Sequence, residues 1–190
     1  MNEIKLHLGC GKRYLPGYIH VDLDSHSHID YCHSISTLPM FENESVNLIY
    51  SCGSLSYFDR EECADVLKEW RRVLKPEGIL RLSLPDFESI VKVYLQNGKD
   101  LDGEGILGPI FGKWKITSEN GEFKNVYQKT VYDYNSLKKL LNDNGFVDYK
   151  KYDWWDVLPS YYDDYSMAYV PYKDTTGIQM CLNIECVKGI

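Results

Sequence analysis

The chain alternates between short apolar segments and amphipathic segments with helical spacing. Strands are predicted at 4–8, 18–23, 28–32, 46–51, 79–84, 146–152 and 179–187. Helices are predicted at 59–74, 86–94 and 136–143, the first with Asp59 and Glu62 placed for a capping box and the last with Asn135 as its cap. Short strands that alternate with helices indicate a mostly parallel sheet covered by helices on both faces.

One connection of this sheet is shorter than usual. Only residues 9–17, including the glycine turn, join the first predicted strand to the second, whereas a parallel crossover normally takes about a dozen residues or more. We therefore expect a loop or a single turn in place of the first crossover helix, unless the second strand is misplaced.

Two segments depart from the alternating pattern. Residues 99–130 combine glycines and lysines with little periodicity, and they are predicted as a loop or lid with one helical turn near Ile110. Residues 153–178 are rich in aromatic and acidic residues; core packing explains most of these rings, and some could form flat walls of an acceptor pocket. We expect residues 1–190 to form a single domain, since a chain of 190 residues supports one core but hardly two.

Composition limits the partners that the chain can have. Its net charge of −7 repels a phosphate backbone, so no nucleic-acid partner is expected. No apolar run approaches membrane-spanning length and the first residues lack a signal-peptide pattern, so we expect a cytoplasmic protein without membrane contact. No Cys-x-x-Cys pair occurs, and a solvated loop explains His26 and His28 better than a metal site, so no metal is predicted. The oligomeric state does not follow from the sequence.

A glycine turn and an acidic residue lie where an open α/β sheet binds ligands. Gly9-Cys10-Gly11 ends the first strand and Asp22 ends the second. Glycine admits a ligand close to the backbone, and a carboxylate can accept both hydroxyl hydrogens of a ribose. Each feature alone fits an ordinary strand end, but together they predict a nucleoside-type ligand. A nicotinamide-dependent oxidoreductase is the weaker alternative, because Tyr14 stands where the dinucleotide pattern needs its third glycine.

Several segments, in this order, resemble the class I methyltransferases that depend on S-adenosylmethionine, and most of all a small bacterial branch, methyltransferase type 11. They are LHLGCG at 6–11, PGYIHVD at 16–22, LP at 38–39, LIYS at 48–51, WRRVLKPEG at 70–78 and LSLPD at 82–86; residues 137–146 resemble the family's late helix. The resemblance covers residues 4 to about 95 well and the rest loosely. It implies a Rossmann-like fold with a mostly parallel seven-stranded sheet, a shortened first crossover, and S-adenosyl-L-methionine as the cofactor.

The resemblance also implies roles for individual residues. The cofactor would contact the glycine loop through its methionine part, the acidic strand end through its ribose, the segment before Leu38 through its adenine, and the end of the fourth strand. The residues implied are Gly9, Cys10, Gly11, Asp22, Leu23, Ser34, Ile35, Ser51 and Cys52. Two departures stand out, because the family often has an aspartate where Ser34 stands and Glu-His where this chain has Ser56-Tyr57. The second departure motivates an alternative, a catalytically inactive cofactor-binding or regulatory protein.

Methyl transfer requires that nucleophile, methyl carbon and sulfur lie in line, and a hydroxyl acceptor also gains from a base. Asp86 is the first candidate for that base because it ends the fifth strand, although it would equally serve as a helix N-cap. Tyr57 is a second candidate, with packing as its alternative role, and Tyr132 is weaker. The acceptor is expected to be a small molecule with a hydroxyl or amine, and a sugar or sugar nucleotide is the narrower hypothesis. Lysines 113, 115, 124 and 129 could bind a phosphate on it or belong to a solvated lid.

Overall fold

The structure is a computed structural model that describes residues 3–117 and 120–189. Its strands are β1 Lys5–Leu8, β2 Ile19–Asp22, β3 Tyr31–Cys32, β4 Val46–Cys52, β5 Leu74–Pro85, β6 Lys113–Thr117, β7 Phe123–Tyr127, β8 Phe146–Lys151, β9 Tyr169–Val170, β10 Ile178–Gln179 and β11 Cys181–Lys188. Its helices are α1 Arg60–Val73, α2 Phe87–Gln96, α3 Leu107–Phe111, α4 Tyr134–Asp143 and α5 Trp154–Val157.

The central sheet has seven strands in the order β3-β2-β1-β4-β5-β11-β8. Strand β11 runs antiparallel to both of its neighbours, and the pairs between β3 and β5 are parallel. The mostly parallel sheet and the short first crossover are confirmed, since a loop without a helix connects β1 to its parallel neighbour β2. The strand order reverses beside β1, and open α/β sheets bind ligands at such a point.

One face of the sheet is covered by α1 and α4. The predicted capping box begins α1, where the Asp59 carboxylate accepts the backbone N–H of Glu62 and the Glu62 side chain accepts that of Asp59. Trp70 on this helix is fully buried, and its indole N–H donates to the carbonyl of Ile35 at 2.7 Å. Helix α1 therefore ties the segment before Leu38 to the core, which fixes one wall of the site described below.

The opposite face is covered by the β1–β2 loop, α5 and the aromatic segment that follows it. Leu15, Tyr50, Leu158 and Tyr162 form a buried cluster there. The Tyr50 hydroxyl donates to the buried carboxylate of Asp164 at 2.5 Å. Much of the aromatic stretch at 153–178 thus packs against the sheet.

Two predicted boundaries are wrong in detail. Helix α4 is capped by Asp133 and not by Asn135, because the Asp133 carboxylate accepts the backbone N–H of Ser136 at 2.8 Å in a capping box. The turn predicted at 75–78 belongs to β5, where the register with β4 shifts and Glu77 adopts φ +61°. From the pair Val46–Leu74 to the pair Leu48–Ile79, β5 advances five residues while β4 advances two, so the turn residues loop out of the pairing without ending the strand.

The segment predicted as a loop or lid, 99–130, contains more regular structure than expected. The helical turn near Ile110 is α3, but β6 and β7 form an antiparallel hairpin in which Trp114 pairs with Val126. Both strands are largely exposed, so the usual apolar signal of a strand is weak. The alternation of Lys113 to Thr117 was the available clue. Residues 118 and 119 of the predicted segment lie outside the described residues.

Candidate functional site

A cavity of about 630 Å³ lies at the carboxyl ends of β1, β2 and β4. Its volume falls in the range of about 300–1,000 Å³ that is typical of small-molecule sites. One wall is the sheet edge with Gly9, Asp22 and Cys52, and the facing wall is the β6–β7 hairpin with Trp114 and Val126. The ligand position predicted from the glycine turn is therefore a cleft between the sheet edge and the hairpin.

The glycine turn packs closely against Ser54 and is hydrogen-bonded to it. Gly9 has φ +66°, and a Cβ built on it would lie 2.0 Å from Oγ of Ser54. The Ser54 hydroxyl occupies that space and donates to the Gly9 carbonyl at 2.9 Å. Glycine is required here for both its left-handed backbone and its missing side chain, and the turn forms a fixed floor beneath the cavity.

Asp22 lines the cavity beside this floor and is only 8% exposed. Its carboxylate accepts the backbone N–H groups of Gly11 and Asp24, each at 2.7 Å. Burial raises the pKa of Asp22, while these two hydrogen bonds oppose that rise. Because an ionised carboxylate has about four acceptor sites, Asp22 keeps capacity for two hydroxyl groups.

Most other residues implied as cofactor contacts also line this cavity: Cys10, Gly11, Leu23, Ser34, Ile35 and Cys52. Ser51 is not among the described residues that line it. Side chains alternate along a strand, so Ser51 points to the face of β4 opposite Cys52, where it is 1% exposed.

Of the three candidate bases, only one lines the cavity. Tyr57 lines the cavity. Asp86 is not among the described lining residues; its carboxylate caps α2 by accepting the backbone N–H of Glu88 and the hydroxyl of Ser89, both at 3.1 Å. Tyr132 is buried away from the cavity beneath the guanidinium of Arg60, 4.2 Å from its ring centre.

The hairpin carries the predicted lysines to different places. Lys124 and Lys129 line the cavity, and Lys129 pairs with Glu62 at 2.7 Å. Lys113 and Lys115 alternate with the cavity-lining Trp114, so they project from the outer face, where Lys115 lies 3.7 Å from the centre of the Phe123 ring. The lysines therefore do not converge on one anionic group.

The hairpin is docked at both ends. At its tip, the Thr117 N–H donates to the Asp24 carboxylate at 2.8 Å, and its carbonyl accepts the Ser25 N–H at 3.1 Å. Just after β7, the Lys129 N–H donates to the carbonyl of Ser56 at 2.8 Å. These contacts join the hairpin to the loops that follow β2 and β4, which both border the cavity.

The histidines near this loop stack against one another. His26 and His28 have nearly parallel rings 5.8 Å apart, and His26 Nε2 pairs with the Asp24 carboxylate at 3.0 Å. Over residues 3–117 and 120–189, no group of three or more His, Cys, Asp or Glu side chains has the arrangement of a metal site. Within the same ranges, every helix is too short or too polar to cross a membrane.

Comparison with known proteins agrees with this geometry. Residues 21–82 match the family model of the methyltransferase domain. A putative S-adenosylmethionine dependent methyltransferase from Listeria monocytogenes is 17% identical, with a TM-score of 0.53 over 99% of this chain and 92% of that one. A SAM-dependent methyltransferase from Methanosarcina mazei is 18% identical, with a TM-score of 0.53 over 100% and 95%.

A third solved structure, the 1,6-didemethyltoxoflavin-N1-methyltransferase of Burkholderia thailandensis with 1,6-didemethyltoxoflavin and S-adenosylhomocysteine bound, has 13% identity and a TM-score of 0.54 over 98% and 71%. The family match is confined to residues 21–82, and over nearly its whole length the chain shares the fold of these solved methyltransferases. No protein of curated function matches its sequence significantly.

The site also contains residues that the sequence motifs did not single out. Arg13, Trp114, Gln128 and Tyr165 all line the cavity. Arg13 also borders a smaller cavity of about 50 Å³ with His7 and Asp164, beside the glycine turn. Burial lowers the pKa of His7 well below its usual value, with the nearby His20 adding to the effect, so its ring is neutral. The one sequence signal for Arg13 was its place just after Gly11.

Proposed function

We propose that the protein transfers the methyl group of S-adenosylmethionine to a hydroxyl or amine of a small acceptor. The observation that carries this proposal is the cavity between the sheet edge and the hairpin, with Asp22 and the glycine turn on one wall. The spare acceptor sites of Asp22 suit the two ribose hydroxyls, and Ser34 and Ile35 suit the adenine edge. The residues present thus fit this cofactor.

We assign the methionine end of the cofactor to Arg13. Its side chain lies beside the glycine turn, with its Nε donating to the carbonyl of Asp163. That bond leaves the remaining guanidinium N–H groups for a carboxylate, which arginine binds with good geometry. A cation at this point also offsets the repulsion that the net negative charge of the chain would exert on a carboxylate.

The cofactor supplies a methyl group already activated on a sulfonium, so the chain's main task is alignment. The sheet edge forms one side of the cavity and the hairpin forms the other, so a bound cofactor would be held between two walls. Tyr57 is the candidate catalytic residue at this wall. Burial raises the pKa of its hydroxyl, so it would act by donating or relaying a hydrogen bond and not as an anionic base.

The chemical class of the acceptor is also a proposal. A small molecule is supported by the volume of the cavity and by the small ligand in the Burkholderia structure. A sugar or sugar nucleotide is the narrower hypothesis, supported by aromatic faces such as Trp114 and by the cation of Lys124 at the cavity wall. A cytoplasmic location, without nucleic-acid or membrane partners, belongs to the same proposal.

A methyltransferase-like protein that binds the cofactor without catalysis is the second candidate. It is favoured by the position of Tyr57, where the related family often has a histidine, and no histidine occurs among the described residues that line the main cavity. Binding of S-adenosylhomocysteine without methyl transfer to any acceptor of a broad screen would support this candidate.

Cofactor choice tests the proposal directly. Isothermal titration calorimetry should show micromolar binding of S-adenosylmethionine or S-adenosylhomocysteine, about −8 kcal/mol, and no comparable binding of NAD. The reason is that the turn after Gly11 lacks the third glycine, with the exposed side chain of Tyr14 in its place. Tighter binding of NAD would reject the methyltransferase function and favour an oxidoreductase.

We expect Asp86→Asn to change neither stability nor methyl transfer appreciably. Asparagine caps a helix about as well as aspartate, and the Asp86 carboxylate is engaged at the start of α2. Thermal melting and release of S-adenosylhomocysteine with an active acceptor would be measured side by side. A decrease in turnover of about a hundred-fold at an unchanged melting temperature would contradict this prediction and show that Asp86 acts as a general base.

A further inference from the structure

A small recess opens off the main cavity beside the glycine turn. Its volume is about 50 Å³, whereas a water molecule, or an ammonium group of similar size, needs roughly 10–15 Å³. The walls that the recess has to itself are His7 and Asp164. The walls that it shares with the main cavity are Gly9, Cys10, Arg13, Cys52 and Tyr165. A molecule in the main cavity can therefore extend a small group into the recess.

Asp164 brings a buried carboxylate to the recess without a cation to balance it. The residue is 5% exposed. Its carboxylate accepts the Tyr50 hydroxyl at 2.5 Å and the backbone N–H of Ser166 at 2.8 Å, and both of these donors are neutral. No Lys, Arg or His side chain in the ranges 3–117 and 120–189 forms an ion pair with it. Because a buried carboxylate without a cation is costly, we expect a cationic group of a bound molecule beside it.

The two basic side chains that border the recess do not supply this cation. His7 is neutral, because burial lowers its pKa well below the usual value. Arg13 directs its Nε to the backbone carbonyl of Asp163 and not to the carboxylate of Asp164. The recess is therefore bordered by an unbalanced carboxylate and, on another wall, by a guanidinium that has further N–H groups to donate.

These two charges match the charges of an α-amino acid. Such a molecule carries an ammonium and a carboxylate on one carbon atom, so a carboxylate and a guanidinium around one small space complement it. An ionised carboxylate has about four acceptor sites, and Asp164 uses two of them for Tyr50 and Ser166. Repulsion between like charges fixes the orientation, with the ammonium of the ligand at Asp164 and its carboxylate at Arg13.

We propose that the recess is the site of the α-ammonium group at the methionine end of the cofactor, and that Asp164 binds this group. The inference rests on the function proposed above and adds a residue that selects the cofactor by the charge of its amino group. Asp164 belongs to the aromatic segment at 153–178 and not to the glycine turn. A nucleoside thioether without an amino group is rejected, because it leaves the buried carboxylate without a cation.

A purely structural role for Asp164 makes different predictions about ligands. Its carboxylate also begins the short 3₁₀ helix Tyr165–Met167 and holds the Tyr50 hydroxyl. If Asp164 served only this packing, its replacement would weaken every ligand of the site to a similar extent. If it binds the ammonium, replacement weakens only those ligands that carry an amino group. The ratio of two affinities therefore distinguishes the roles, even where the stability of the fold changes.

The test compares S-adenosylhomocysteine with its desamino analogue, in which hydrogen replaces the α-amino group. Isothermal titration calorimetry measures both affinities at neutral pH. We expect the wild-type protein to bind S-adenosylhomocysteine at least about tenfold more tightly, the effect of a hydrogen bond between charged groups in a buried site. In Asp164→Asn the ratio should fall to about twofold or less, since asparagine carries no charge for the ammonium to balance.

Two control variants separate charge from packing. Asp163→Asn makes the same chemical change at the exposed neighbour and should keep the wild-type ratio. Tyr50→Phe removes one of the hydrogen bonds to Asp164 within the same buried cluster but leaves the carboxylate in place, so it should also keep the ratio. Thermal melting establishes that each variant is folded at the temperature of the titration.

The possible outcomes lead to different conclusions. Equal affinity of the wild-type protein for the two compounds overturns the role of Asp164 without any variant and leaves the methyltransferase function standing. A preference that persists in Asp164→Asn, or that Tyr50→Phe abolishes to the same extent, overturns it as well. A wild-type protein that binds neither compound rejects the proposed function itself.

Discussion

Replacing Gly9 with alanine should destabilise the fold by roughly 2–5 kcal/mol. The left-handed backbone, at φ +66°, costs an alanine about 1–2 kcal/mol, and overpacking adds about 1–3 kcal/mol. The overpacking arises because the new Cβ would meet Oγ and Cβ of Ser54 at 2.0 and 2.4 Å. Urea unfolding followed by circular dichroism measures the change, and binding of S-adenosylhomocysteine should fall as the glycine turn is displaced.

Gly17→Ala is the matched control for this prediction. Gly17 also has positive φ, +82°, but a Cβ on it would have no atom within 4 Å. It should therefore lose only the backbone contribution of about 1–2 kcal/mol. Adding Ser54→Gly to Gly9→Ala should recover the part of the loss that overpacking causes. Equal losses at Gly9 and Gly17 would contradict the steric role of Ser54.

Asp22→Ala should weaken binding of S-adenosylmethionine by about 1–3 kcal/mol, or roughly 5- to 150-fold. Two effects combine, because the ribose loses a charged acceptor and the N–H groups of Gly11 and Asp24 lose the carboxylate that holds them. Calorimetry measures the affinity, and urea unfolding of the same variant checks that the fold persists.

Asp22→Asn removes only part of these interactions. Asparagine keeps the shape but has one acceptor oxygen, whereas Asp22 accepts the N–H groups of Gly11 and Asp24 through separate oxygens, so the turn and the ribose interaction should each weaken in part. An intermediate affinity is expected. If Asp22→Ala binds the cofactor as tightly as the wild type, the ribose does not lie at Asp22, and the cavity must hold the nucleoside in another orientation.

The sheet-edge wall of the cavity could be predicted because its signals are local. Gly9 and Asp22 each lie at the end of a short apolar strand, and the carboxyl ends of neighbouring parallel strands meet at one edge. Ser51 shows the limit of this reasoning, because a shift of one residue along a strand moves a side chain to the other face. Cys52 lines the cavity and Ser51 does not.

The hairpin wall of the cavity could not be predicted because it depends on contacts between distant segments. Gln128 and Tyr57 are far apart in the chain, and they line the same cavity because the hairpin docks on the loop after β4. The hairpin strands are largely exposed, which removes most of the hydrophobic pattern that reveals a strand. Asp86 was ambiguous for another reason, since a carboxylate after a strand suits a base and an N-cap equally well.

The contacts that attach the hairpin determine which of its residues can be substituted during evolution. At each of its anchors the hairpin contributes main-chain atoms, the N–H and carbonyl of Thr117 and the N–H of Lys129. The ion pair of Lys129 with Glu62 is exposed, and such pairs contribute little. Side chains on the hairpin can therefore be exchanged without loss of its attachment, whereas the sheet edge carries the residues that we propose to hold the nucleoside. Under that proposal, acceptor preference and cofactor use can change independently, and a hairpin of equal length is the unit to transplant when the acceptor is redesigned.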